Sequence, residues 1–158
     1  MFRELNRKQL QLSAKECAEV LNNEKRGVLS VIGDEGYPYG MPMNHWYDEQ
    51  SGCIYFHCGR SGHRYDSVKN CSKASFCVYS KGEKEEGEWA WKVKSVIVFG
   101  NVEIIDDAAK TARISRELSL KFTSDEEYIA KEIEAHLKKT VLLKLSPVHI
   151  CGKRVVEE

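Results

Sequence analysis

The apolar positions of this chain change period several times, and each change marks a predicted element. After a polar start, Met1 to Leu12, residues Cys17, Val20 and Leu21 repeat at i, i+3 and i+4, the spacing of one helix face. Ser13 and Glu16 form a capping-box pattern, in which each side chain satisfies a backbone donor left open at a helix start. A helix is predicted over about 13–25. The next run, Gly27–Gly33, is short and β-rich. Asp34-Glu35-Gly36 reads as a tight turn, with Gly36 free to take positive φ.

A second strand is predicted over about 37–47. Pro38 and Pro42 cannot donate to a ladder, so this strand is an edge or is broken by bulges. Asp48–Gly52 is a turn, and Cys53–His57 a third strand that closes a hairpin with the second. Then come a loop over Cys58–Gly62, a short helix over His63–Cys71, a fourth strand over Ala74–Tyr79 and a charged hairpin loop over Lys81–Glu88. Val93–Ile105 is a long strand. Two helices follow it: one capped at Asp106 or Asp107 with Ile114, Leu118 and Phe122 on one face, one capped near Ser124 with Ile129, Ile133 and Leu137. Val141–Leu145 is the sixth strand, with Val148–Ile150 as a candidate extension. Six antiparallel strands with late helices argue against a doubly wound parallel sheet and suit a small barrel, which removes exposed edges. The expectation is one domain over 1–158, mainly β, with flanking helices.

Composition narrows the partners. Lys+Arg and Asp+Glu both number 24, so no overall attraction to nucleic acid or to an anionic membrane is expected. No apolar run approaches a membrane span, and the N-terminus has no apolar signal core, so a cytoplasmic location is expected. The six cysteines are scattered without a CxxC pair, which suits free thiols in a reducing compartment.

The segment Gly36–Cys71 carries most of the candidate chemistry. Gly59, Gly62, His63 and Arg64 link a strand to a helix. Glycines let backbone N–H groups approach an anion, the helix start is partly positive, and an arginine forms charge-assisted bonds. The same pattern also describes an ordinary turn. No P-loop and no GxGxxG follows a buried strand, which disfavours the ordinary nucleotide folds. His57 can exchange protons near neutral pH, or can simply end a strand. A metal reading of His57, Cys58, His63 and His45 is disfavoured, because neighbours on a strand point to opposite faces and no established zinc spacing is present. Trp89 and Trp91 are predicted to share a strand face, as core, interface or a stacking surface. Parity alone does not decide which side of its strand Lys94 or Ser95 would offer a ligand.

Read together, Gly36-Tyr-Pro-Tyr-Gly-Met-Pro-Met-Asn44, Ile54-Tyr-Phe-His57, Gly62-His63-Arg64-Tyr-Asp66, Lys94-Ser-Val-Ile-Val-Phe-Gly100 and Gly152-Lys153 resemble the pyridoxamine 5′-phosphate oxidase-like FMN-binding split barrels, within them the nitroimidazole-resistance branch. The resemblance spans about 26–153. It implies a six-stranded antiparallel Greek-key split barrel and a homodimer with FMN at the interface. It implies that Pro42, Met43 and Asn44 run along the flavin ring, and that Gly62, His63 and Arg64 hold its phosphate. Ser95, with Lys94, would come from the partner chain, with Lys153 near the flavin and His57 facing the substrate. The implied activity is FMN-dependent reduction of a small aromatic or nitro compound by hydride delivery from the flavin, with NAD(P)H as a candidate donor. The alternatives are a flavin-binding or redox-sensing module with little turnover, or a barrel that takes haem or a deazaflavin. Pyridoxamine-phosphate oxidation is a further alternative, although the arginine-rich C-terminal segment of the true oxidases is missing.

Overall fold

Ser13 starts the first helix as its side-chain chemistry dictates. In the computed structural model, which describes residues 1–157, Ser13 Oγ accepts from the Glu16 amide at 3.2 Å, and the Ser13 amide donates to the Glu16 carboxylate at 2.9 Å. Helix α1 (Ala14–Asn23) buries Cys17, Val20 and Leu21. Strand β1 (Arg26–Ile32) then turns back through Glu35 and Gly36, at φ 54° and 76°, into β2 (Pro38–Asn44). Two consecutive residues in the left-handed region match the twist of a tight hairpin, which places a glycine at the second.

The remaining elements are β3 (Trp46–Asp48), β4 (Cys53–Gly59), α2 (His63–Asn70), β5 (Lys73–Tyr79), β6 (Trp91–Ile105), α3 (Ala108–Leu120), α4 (Glu126–His136) and β7 (Thr140–Glu157). They form one antiparallel sheet in the order β2-β1-β5-β6-β7-β4-β3. The sheet curls until β2 touches β4, and its inner face closes on Leu29, Phe56, Phe76, Val96, Val98 and Leu143. Phe56 and Phe76 meet edge to face at 4.9 Å, a favoured aromatic geometry.

The strand count is seven rather than six. The single strand expected over 37–47 breaks at His45, and its two parts lie on opposite edges of the sheet. The break is built from buried polar groups: His45 is fully buried, and its Nε2–H donates to the Leu21 carbonyl at 2.7 Å. Pro38 and Pro42 do lie on an edge strand. Other boundaries shift. The first helix ends at Asn23 and the last strand runs on to Glu157, while the cap expected near Ser124 is Asp125. Trp89 precedes β6 and is 70 % exposed, so the two tryptophans do not share a strand face.

Residues opposite one another in an antiparallel ladder share a face. The register therefore places Pro42, Val28, Cys77, Ile97 and Cys151 in one row on the outer surface of five strands, with Gly40, Ser30, Ser75, Phe99 and His149 in the next. Neither row contains Asp, Glu, Lys or Arg. Helices α3 and α4 cover a different part of the outside, over β4, where Ile114 packs with Cys53, Tyr55 and Leu142.

Candidate active site

The free edge of β2 organises the site. An edge strand leaves backbone donors and acceptors outside any ladder, and among the described residues β2 has no partner on the side away from β1. At its start, Tyr39 stacks on the His63 ring at 4.1 Å, and Asp34 lies 3.6 Å from His63 Nε2. Gly62 precedes α2 at φ 102°, a conformation that favours glycine, and no side chain caps the helix there. The leading amides of α2 therefore remain available, at the partly positive end of the helix. Arg64 Nε approaches Met41 Sδ at 3.2 Å, and Arg64 has no carboxylate partner among the described residues. Burial pushes the nearby Cys58 thiol up in pKa, against the opposing pull of Arg64. An uncapped helix start beside an unpaired guanidinium is chemically suited to an anion.

Further along β2, Pro42 and Asn44 turn outward, whereas Met43 is buried in the core. Met43 can thus offer a ligand its backbone but not its side chain. Asn44 Oδ1 accepts from Arg26 Nε at 3.1 Å and borders a cleft of about 400 Å³ between β4, α3 and α4. His57 lies in the wall of the same cleft. Its Nε2 is 2.8 Å from Ser115 Oγ on α3, and burial holds its pKa below the usual histidine value. Leu118, Phe122, Ile129 and Ile133 supply apolar walls; Tyr128, Glu132, His136 and Thr140 supply polar ones. Among the described residues no lysine or arginine lines the cleft directly, although Arg26 borders it through Asn44.

One protomer thus brings Pro42, Met43, Asn44, His57, Gly62, His63 and Arg64 to one edge. It does not bring Lys94, Ser95 and Lys153 there. Ser95 and Lys153 pair across β6 and β7, three and four strands from β2, on the same outer face as the Ile97 row. Lys94 shares its parity with buried Val96 and sits 3.8 Å from the Glu16 carboxylate. The structure so resolves the parity question: Ser95 faces outward, while Lys94 turns toward α1. His45 and His63 are held as described, and among the described residues no His/Cys/Asp/Glu group has metal-site geometry.

Two residues of this region escape sequence reasoning. Ser115 is one of several helical serines and carries no motif. Lys121, just after α3, donates to the carbonyls of Glu24 at 2.7 Å and His45 at 3.0 Å. It ties the inserted helices to the break between β2 and β3, and burial pushes its pKa down to about 8. A lysine at a helix end is expected to serve its own helix, and nothing in the sequence signals this distant target.

The pyridoxamine 5′-phosphate oxidase family model matches residues 13–154. The chain belongs to the pyridoxamine 5′-phosphate oxidase family. Solved structures agree on the fold. A conserved hypothetical protein from Mycobacterium tuberculosis superposes with a TM-score of 0.81 at 16 % identity, over 95 % of this chain and 89 % of that one. A proposed 5-nitroimidazole antibiotic resistance protein from Bacteroides thetaiotaomicron gives 0.76 at 16 %, over 93 % and 87 %. An FAD-binding protein from Mesorhizobium loti gives 0.63 at 21 %, over 92 % and 96 %. No curated protein matches the chain. Within the family fold, the seven strands here form the split barrel, with α3 and α4 as the insertion that makes the cleft. Among the described residues, no helix is long and apolar enough to cross a membrane.

Proposed function

We propose that this family member binds FMN along the β2 edge and reduces a small aromatic or nitro compound in the adjoining cleft, as a homodimer in the cytoplasm. The observation that carries this reading is the pairing of Arg64, which lacks a carboxylate partner, with the uncapped start of α2. From Tyr39 to Asn44 the strand extends roughly 17 Å at the usual rise per residue. That length suits a tricyclic ring with a phosphate-bearing chain. The phosphate would take the α2 amides and Arg64, with His63 beside them. The ring would run past the backbone of Pro42, Met43 and Asn44.

A bound flavin supplies two-electron redox chemistry, and the residues of this chain then position, orient and shield. His57 stands in the cleft wall beside Asn44, where it can meet a substrate held against the ring. The apolar side chains of α3 and α4 form much of the wall of that space. The uncharged outer rows support a second copy as the occupant of that face, since such a surface is costly to leave in water. Ser95 and Lys153 project from the same face and would reach a partner's flavin there. Lys94 would join them only if it left Glu16. The FAD-binding relative supports a flavin, and the resistance protein supports a nitro compound.

The absorbance spectrum of the freshly purified protein, followed by the mass of the released chromophore, tests this reading and separates FMN from FAD, haem and a deazaflavin. A yellow dimer that releases FMN and is reduced by NAD(P)H is expected. A colourless monomer that refuses added FMN would overturn it.

A further inference from the structure

The partner of His57 decides what that histidine can do. Ser115 is 6 % exposed, and its hydroxyl has one hydrogen-bond partner among the described residues, Nε2 of His57 at 2.8 Å. No carbonyl of its own helix takes the hydroxyl proton, as helical serines often arrange. The ring makes no other hydrogen bond to the described residues, so Nδ1 is left for the cleft.

Two proton arrangements fit an imidazole nitrogen beside a hydroxyl. In the first, Nε2 carries the hydrogen and donates to Ser115. The serine proton then has no acceptor among the described residues, and Nδ1 faces the cleft as a bare lone pair. In the second, Ser115 donates to Nε2 and nothing buried is left unpaired. A buried donor without an acceptor is costly enough to select between the two. We infer that Ser115 is a positioning residue that donates to Nε2 of His57, so that a neutral imidazole presents an Nδ1–H donor to the occupant of the cleft.

This fixes the class of substrate the cleft accepts, a point that rests on the cleft being the substrate side of the proposed flavin site. A neutral N–H donor needs an acceptor atom opposite it. The cleft therefore suits a ring bearing an acceptor such as a nitro or carbonyl oxygen. As electron density builds on that oxygen, the Nδ1–H bond strengthens without a proton leaving the ring.

The test is a two-bond ¹H–¹⁵N correlation spectrum of the histidine rings in the protein as purified, at neutral pH. His57 is expected to be protonated at Nδ1 alone, to become a tautomer mixture in Ser115→Ala, and to regain the wild-type pattern in Ser115→Thr. An Nε2–H ring in the wild type, or an unchanged ring in Ser115→Ala, would overturn the assignment. Turnover of a neutral nitroaromatic should fall about tenfold in Ser115→Ala with flavin content unchanged, and recover in Ser115→Thr. A lost tautomer with undiminished turnover would remove Ser115 from the reaction. Flavin content and the ring spectrum are read separately, so failure of the cofactor proposal is not mistaken for failure of the tautomer.

Discussion

His45 and His57 sit in two regions that treat the same side chain in opposite ways. Each engages a partner through Nε2, and burial depresses the pKa of each. His45 is sealed at the break between β2 and β3, with Nδ1 buried and unpartnered and the Lys121 ammonium close by. His57 keeps one nitrogen toward an open cleft. The first arrangement makes histidine a structural wedge whose protonation the fold resists. The second makes it a donor that can meet a ligand. A histidine's role is thus set by what its second nitrogen faces rather than by how deeply the ring is buried.

The largest effect should come from acid. Burial, then Lys121, lowers the His45 pKa from 6.5 to about 4. The unfolded chain therefore binds the proton first, and stability falls as pH drops from 6.5 to 4 and levels off below that. The loss from this group is about 3 kcal/mol. Urea unfolding of the wild type and of a His45 variant at pH 7 and pH 4 measures it by difference. His45→Gln, which can still donate to Leu21, should remove most of this dependence, and an unaltered pH slope would end the wedge description. At the other histidine, His57→Ala should retain flavin while turnover falls about 100-fold, and should unfold at a lower denaturant concentration because the buried Ser115 hydroxyl loses its acceptor. Unchanged turnover on a verified substrate would take His57 out of the mechanism.

Lys121→Met tests the tie between the two regions. It removes two charge-assisted bonds and should cost about 2 kcal/mol by denaturant unfolding. Faster hydrogen exchange in α3 and α4 should accompany the loss. Arg64→Gln should weaken FMN binding about tenfold in a fluorescence titration and leave unfolding in the flavin-free protein nearly unaltered. The smallest effect belongs outside both regions: Trp89→Ala should move stability by less than about 0.5 kcal/mol, and a larger shift would show that exposed Trp89 is covered in solution.

Much of the local structure was legible from single side chains. Ser13 with Glu16, Asp107 at the start of α3 and the Asp34–Gly36 turn act within a few residues, and each appears where its chemistry predicts. The edge position of β2 was legible from two prolines. The separation of β2 from β3 was not, because His45 reads as one more strand residue until Leu21 and Lys121 are brought to it from distant elements. The candidate site divides the same way. Gly62, His63, Arg64 and His57 announced themselves by type and order. Ser115 and the α4 wall of the cleft depend on how two helices pack over β4, which periodicity does not encode. Strand parity, which the sequence alone did not assign, turns Met43 into the core and Lys94 toward Glu16 on α1.

The final strand has a further consequence. Within 18 residues β7 pairs with β6 along its length and with β4 through Thr140–Leu145, and Lys153 also bridges to Gln11. Until β7 has been synthesised, β4 has only the three-residue β3 beside it, and the hydrophobic residues Ile54 and Phe56 have no completed wall. A nascent chain on the ribosome must carry that unpaired edge through the whole α3–α4 insertion. Folding should accordingly be late and cooperative rather than stepwise, and the waiting edge is where a chaperone would bind or a premature stop would seed aggregation.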